Sequence, residues 1–291
     1  MTTTGSLDLD KAQWKALLDP SNGPAARRLT IQLGLIVLLG ALIWTKIPLW
    51  PILLLPQGCL LIFLFAPLHE CIHRTAFRTR WCNDLVAFLC GWLVLLPPTW
   101  FRHFHMRHHR FTNNPDRDPE LAVAKPGNIV AYVLYMSGLA IWASQIQVLL
   151  GNSHGRDPAG IIPNKARNRV ALEARWYLAI YVLAFAALGE PLLWVWIVPV
   201  LIGQPFLRAF LLAEHIGCAL VRDMTANSRT TFTNRAVRWL TWNMSYHAEH
   251  HLQPAVPYHK LPDLHSHTRP HLKVTQSGYL NLHRALLTNF V

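Results

Sequence analysis

Charge is what this sequence has least of. Asp, Glu, Lys and Arg make up 14% of the 291 residues, where a soluble domain carries about 25%. Hydrophobic residues make up 52%, and mean hydropathy is +0.21. A soluble protein is thereby disfavoured, and the chain reads as a membrane protein. Cysteine is sparse as well. Cys59, Cys71, Cys82, Cys90 and Cys218 are odd in number, lie in or beside apolar stretches and include no C-x-x-C pair, so no disulfide framework is expected. No Gly/Ser-rich linker, low-complexity run or repeat period divides the chain, which reads as one unit over residues 1–291. The first 26 residues carry Asp8, Asp10 and Asp19 and no early apolar run. That is not the layout of a secretory signal, so insertion is expected to use internal spans. Acid is the scarcer sign, with 15 Asp and Glu against 27 Lys and Arg for a net charge of +12. Such a balance can mean nucleic acid, anionic lipid or an acidic partner. In a membrane chain topology explains it first, and no nucleic-acid partner is expected.

What is present begins with long uncharged runs. Leu29–Trp44 and Leu49–Leu68 are joined by a short link with Lys46 and Pro48, and Trp176–Leu188 and Leu192–Leu207 flank Gly189-Glu190-Pro191. Their lengths suit two transmembrane hairpins, over 29–68 and 176–212. Residues 1–28 then form an N-terminal segment, 69–175 a cytoplasmic or interfacial region, and 213–291 a cytoplasmic tail. Residues 71–120 carry seven arginines and 213–291 eight Lys or Arg, while the hairpin tips carry only Lys46. The positive-inside rule therefore puts both basic regions in the cytoplasm. Ile129–Leu150 is uncharged and long enough to cross, but a crossing there would put the regions on either side of it across the membrane from each other. It reads as an interfacial or partly embedded helix with Tyr132, Tyr135, Trp142, Gln145 and Gln147. Leu85–Leu96 is too short to span, ends at Pro97-Pro98, and is expected to lie in the interface or re-enter.

Sixteen histidines remain, eight of them in three clusters: His69 and His73; His105, His108 and His109; His247, His250 and His251. Residues three or four apart share a helix face, so each cluster presents its imidazoles to one small volume. Neutral imidazole binds zinc, iron, copper and nickel alike. One zinc takes three or four protein ligands, so eight or nine histidines suit two metals, and a pair of irons is the natural reading. His215, at the cytoplasmic end of the fourth span, is the candidate ninth ligand or else a packed histidine. Asn243, four residues before His247, either binds a metal-held water or is a helix-surface amide. Glu70, Asp116, Asp118 and Glu249 either orient imidazoles by accepting their N–H groups or are solvated helix-end carboxylates. His103 is off the box-two face and reads as structural. His154, His259, His265, His267, His271 and His283 read mostly as surface residues. Arg208, near the end of a span, is positioned to snorkel toward the cytoplasm or to meet a substrate head group.

Together, His69-x-x-x-His73, His105-x-x-His108-His109 and His247-x-x-His250-His251 resemble the three histidine boxes of the membrane fatty acid desaturase superfamily, in order, spacing and intervening hairpin, over roughly residues 29–260. The strings Phe104–His109 and Asn243–Leu252 are similar to those of bacterial members. The resemblance implies an all-α membrane fold of about four spans with a cytoplasmic helical cap, in the inner membrane if the source is bacterial. It also implies a non-haem di-iron centre on the eight box histidines, with His215 and Asn243 added by position. The implied chemistry uses O2 as co-substrate to remove hydrogen from an unactivated C–H bond of a fatty acyl or related lipid chain, giving an alcohol or an alkene. Electrons would come from a small ferredoxin-like carrier with its reductase, since no H-P-G-G haem-binding stretch is present. The His-x-x-x-His form of box one favours the acyl-lipid desaturase and carotenoid ketolase branches.

Three competitors stay open. A carotenoid ketolase or hydroxylase belongs to the same superfamily. His69-Glu70-Cys71-Ile72-His73 also fits H-E-x-x-H, the pattern of an intramembrane zinc protease with Glu70 as general base, though that reading leaves two boxes without a role. A metal transporter or sensor without turnover is the last.

Overall fold

Uncharged runs of Leu, Ile, Val and Ala can satisfy their backbone inside a bilayer only as helices, and four such helices organise this chain. In the computed structural model, which describes residues 7–290, α1 (Lys11–Leu18) and α2 (Asn22–Trp44) form the first arm. Asp10 and Gln13 cap α1 reciprocally. The second arm, Trp50–His73, is a short 3-10 turn followed by α3 (Leu54–Ile62) and α4 (Phe65–His73). The third and fourth arms are Asn164–Leu188, dominated by α9 (Arg167–Leu188), and Leu193–His215, which enters α10 (Val198–His215) through one π-helical turn. Apolar side chains point outward along these arms, with Val37 70% and Val182 68% exposed. That is the signature of a lipid-facing surface. This is an all-α membrane fold, and its spans run further than the apolar runs alone: the second ends at His73 and the fourth at His215.

Between them lie two bent helix pairs. α5 (Arg80–Leu93) and α6 (Pro98–Phe111) meet at 98°, and α7 (Ile129–Ser137) and α8 (Leu139–Ser153) at 47°. Parity decides whether they cross. His73, at the end of the second arm, packs with its ring 4.7 Å from His109 at the end of α6, so the chain between them returns to the side it left. One bent pair therefore cannot be a crossing there. His108 likewise packs 4.9 Å from His215 at the end of the fourth arm. Two crossings already lie between these residues, so α7 and α8 do not add a third. The α5–α6 pair instead dips in and back out. Tyr177 and Tyr181 of α9 donate to Phe88 O and Trp92 O at 2.6 Å each, and Trp196 donates to Leu93 O at 2.8 Å. These bonds satisfy the carbonyls at the buried end of α5, as a low-dielectric site demands.

The two hairpins are pressed together at Gly58 and Gly203. A Cβ on Gly58 would lie 2.1 Å from Pro199 O, and one on Gly203 2.3 Å from Gly58 O, so only glycine allows α3 and α10 this close. Buried amides tie the arms further: Gln57 donates to Val195 O and Gln32 to Leu60 O, each at 2.9 Å.

Residues 216–290 build the cap from α11 (Met224–Asn227), α12 (Arg235–Leu240), α13 (His247–Leu252), α14 (Leu261–Thr268) and α15 (Tyr279–Thr288). Its one departure from all-helical architecture is a parallel pair of three-residue strands, β1 (Thr230–Phe232) and β2 (Thr275–Ser277). Thr231 also takes Ser245 O at 2.9 Å and Thr230 bridges to Tyr246, so this sheet pins the segment just before box three.

Candidate metal centre

Each box sits where its element is held from outside. α4 stops at His73 because Arg74 turns left-handed at φ 66°. α6 is fixed at its start by Glu173 of α9, which accepts Thr99 N at 2.8 Å and Thr99 Oγ1 at 2.6 Å. The last turn of α10 is clamped by Lys125 on His215 O at 3.0 Å, and by Arg229 on Ile216 O at 2.6 Å and on Ala213 O. α13 follows two left-handed residues, Trp242 at φ 50° and Asn243 at φ 58°. Such strain beside a buried site suits a segment whose position is dictated by function.

The structure draws nine histidines into two groups, in each of which the ligand nitrogens lie within 4.8 Å of one another: His69, His73, His105, His109 and His250; and His108, His215, His247 and His251. The boxes do not map one to one onto the groups. The i, i+4 pairs His69/His73 and His105/His109 enter the five-histidine group, and His247/His251 the four-histidine group. The remaining members, His108 and His250, cross to the other side. α6 and α13 thus stand between the groups and feed both.

Hydrogen bonding at Nδ1 sets the tautomers of three members of the four-histidine group. His215 Nδ1 is 3.0 Å from Asn227 O. A carbonyl only accepts, so Nδ1 carries the hydrogen and Nε2 is a bare lone pair. His108 Nδ1 is 2.9 Å from Asp118 Oδ1. His251 Nδ1 is 3.2 Å from Thr112 Oγ1, whose own hydrogen goes to His108 O at 2.9 Å. His247 Nδ1 faces Glu214 Oε1 at 3.1 Å, off the ideal hydrogen-bond line. The Nε2 atoms of His247 and His215 then oppose each other at 2.9 Å. His215 Nε2 is a bare lone pair, and His251 Nε2, bare because its Nδ1 holds the hydrogen, is buried with no partner, so these residues fit a metal ion. In the five-histidine group Nε2 contacts run from His69 to His105 at 2.7 Å, His105 to His109 at 2.9 Å and His109 to His250 at 3.1 Å. His73 Nε2 is buried without a partner. An orphaned buried nitrogen beside four crowded imidazoles fits a metal ion there as well.

Burial, followed by neighbouring imidazoles, holds His247, His250 and His251 well below the ordinary histidine pKa. They are neutral at neutral pH, the form that ligates. Burial works on His108 in the same direction, but the carboxylates of Glu120 and Asp118 outweigh it and its pKa is raised.

Several sequence expectations need correction. Asn243 lies in a turn rather than on the helix of His247, and its amide donates to Tyr258 O at 3.0 Å, so it is a turn former tied to the 3-10 turn at Tyr258–Lys260. Glu70 accepts Thr75 Oγ1 at 2.9 Å and Tyr258 N at 3.2 Å, touching no imidazole of the boxes. Its carboxylate is engaged away from the place a zincin general base must occupy. Asp116 is exposed and reaches no histidine. Glu249 binds Thr230 Oγ1 and His265 Nδ1, so it orients a cap histidine. His265 and His283 are not surface residues. His283 donates from Nε2 to Ala209 O and accepts Tyr132 OH, at 3.0 Å each. Of the four carboxylates singled out, Asp118 alone meets a box histidine. Sequence reasoning missed Glu214, Glu120, Thr112 and Asn227. Glu214 alone carried a signal, an acid at the end of an apolar span beside His215.

A cavity opens onto both groups at His69, His105 and His247, walled by Phe63, Phe65, Phe210 and Met244. Glu120 and Glu214 line it as well, and it encloses about 20 Å³, room for a molecule the size of water or O2.

A family model described as "Fatty acid desaturase" matches residues 26–280. The chain is 26% identical over 238 residues to a fatty acid desaturase of Bacillus subtilis (strain 168), covering 71% of this chain and 64% of that protein. It is 28% identical over 241 residues to the sn-1 oleoyl-lipid 12-desaturase of Picosynechococcus sp., covering 72% and 67%. It is 37% identical over 83 residues to the omega-6 fatty acid desaturase, endoplasmic reticulum isozyme 1, of Glycine max, covering 28% and 21%. The chain spans about two thirds or less of the length of these relatives.

Proposed function

The chain belongs to the fatty acid desaturase family, and from that premise we propose that it is an O2-dependent non-haem di-iron oxidoreductase that desaturates or hydroxylates an unactivated C–H position of a lipid-borne fatty acyl chain. The observation that carries the reading is the convergence of nine histidines into two ligand groups, in each of which the nitrogens lie within 4.8 Å of one another, beside a small cavity walled by aromatic side chains. The nine histidines would hold two irons, and when bound these supply, with O2, the oxidising power that breaks the C–H bond.

The chain's own residues do the rest. Phe63, Phe65, Phe210 and Met244 wall the cavity beside His69, His105 and His247 and would shield it from bulk water, giving an arriving methylene chain an apolar surface to lie against. Asp118, Asn227 O and Thr112 hold the Nδ1 hydrogens of their imidazoles and so keep Nε2 free. Desaturation balances as one CH2–CH2 unit, O2, two electrons and two protons giving one alkene and two waters. The electrons need an outside donor, and a small ferredoxin-like carrier with its reductase suits the basic exposed face, which we place in the cytoplasm.

Support for an acyl-lipid substrate comes from the printed activities of the relatives, which include the sn-1 oleoyl-lipid 12-desaturase. The test is purification followed by metal and lipid analysis. About two irons per chain are expected, and cells expressing the gene should accumulate an unsaturated or hydroxylated acyl species that a His105→Ala variant does not make. Zinc alone, or unchanged acyl lipids, would refute the reading.

A further inference from the structure

The two histidine groups differ in what stands behind their ligands. In the four-histidine group three Nδ1 atoms are hydrogen-bonded, to Asp118 at 2.9 Å, Asn227 O at 3.0 Å and Thr112 at 3.2 Å, and the fourth, of His247, lies 3.1 Å from the Glu214 carboxylate without hydrogen-bond alignment. In the five-histidine group the Nδ1 atoms of His69, His105 and His109, and that of His250, are buried with no hydrogen-bond partner. The nearest carboxylate there, Glu120, stays 3.8 Å from His105 Nδ1. Access differs too: all four histidines of one group are buried, whereas His73 and His109 of the other are half-buried. Charge follows the same division. Asp118 and Glu214 place two carboxylates within 3.1 Å of imidazoles of the four-histidine group, while Glu120, between the groups, stays 3.6 Å from His108 Nδ1 and 3.8 Å from His105 Nδ1.

We propose that the two groups are unequal metal positions: the four-histidine group is the tight, slowly exchanging one, and the five-histidine group fills last and empties first. This rests on the di-iron reading above. The five-histidine group has one more imidazole, which by itself favours tighter binding. Against it stand Asp118 and the Asn227 carbonyl, each of a kind whose loss costs on the order of 10–100-fold in affinity, the weaker Thr112 contact and the nearby Glu214 charge. Asp118 is itself immobilised, accepting Asn113 N at 2.7 Å and Glu120 N at 3.0 Å, so its contact with His108 costs little ordering. Carboxylates behind imidazoles also offset the positive charge of a divalent ion, and a buried ion has no short path to solvent.

The test is release of Fe(II) from the full chain in detergent, without oxygen, into excess coloured ferrous chelator. Wild type should release one equivalent in each of two phases, with rates at least about ten-fold apart. Asp118→Asn and Glu214→Gln should each speed the slow phase by about ten-fold or more and leave the fast phase alone. His73→Ala should lose the fast equivalent and keep the slow one. Far-UV circular dichroism checks that each variant is folded; should an acid variant fail, wild type and His73→Ala decide the matter. Two equivalents leaving in one phase, or His73→Ala stripping the slow one, overturns the inequality while leaving the metal pair standing. A protein that retains no second iron overturns both.

Discussion

The five-histidine and four-histidine groups draw on the same boxes, and the contrast between them is one of support rather than of ligand type. Three imidazoles of the four-histidine group are hydrogen-bonded from behind by Asp118, Thr112 and the Asn227 carbonyl, with the Glu214 carboxylate beside the fourth, while those of the five-histidine group are held only by packing and by one another. The difference teaches that a histidine box is not a unit of function. Helix spacing delivers imidazoles, and the neighbouring loops decide how firmly each is aimed.

The strongest way to break the comparison is to remove one ligand from each side. His105→Ala and His108→Ala should both cut turnover by at least about 100-fold, since a lost ligand outweighs a lost outer partner, as followed by product formation. If either retained full turnover and iron, its group would not be part of a working pair. A second change strikes both groups at once. In Gly203→Ala the new Cβ would meet Gly58 O at 2.3 Å, forcing apart the arms that carry His69, His73 and His215. A loss of about 1–3 kcal/mol in stability is expected, with both irons lost in parallel; thermal unfolding with metal analysis would show whether one group outlasts the other.

Acid sharpens the picture for the metal-free protein. His247, His250 and His251 have folded pKa values well below 6.5, so below that pH the unfolded chain binds more protons than the folded one. Their contribution is therefore intact above pH 6.5 and drains away as pH falls toward the folded values. The unfolding midpoint of chelator-treated protein should drop on going from about pH 7 to about pH 5, and a flat profile would contradict the neutral, buried state. The smallest expected effect is that of Thr112→Val, which removes the acceptor of His251 Nδ1. It should cost about 1 kcal/mol, or a few-fold in the affinity of the slow iron, measured by metal competition, with no change in the fast one.

Much of this was legible beforehand. The spans at 29–68 and 176–207 follow from uncharged length, and the box histidines from their spacing. Asp118 could be named because it is a carboxylate ten residues from His108, but nothing separated it from Asp116 or Glu70. That separation depends on Asn113 and Glu120 N–H groups turning the Asp118 side chain inward, a property of one loop conformation. Asn243 misled because the four-residue spacing to His247 means a shared face only if the backbone is helical, and here two left-handed residues intervene.

What the sequence determined by itself is the chemistry on offer: apolar runs that must be helices in lipid, and imidazoles at helical spacing that must crowd together. Which group each imidazole joins, which carboxylate backs it and which helix pair turns back rather than crossing were settled only in three dimensions. Periodicity constrains neighbours along one helix, whereas these choices are contacts between segments far apart in the chain, such as the 188 residues from Glu70 to Tyr258, fixed by how the arms pack at Gly58 and Gly203 and by where the cap closes over them.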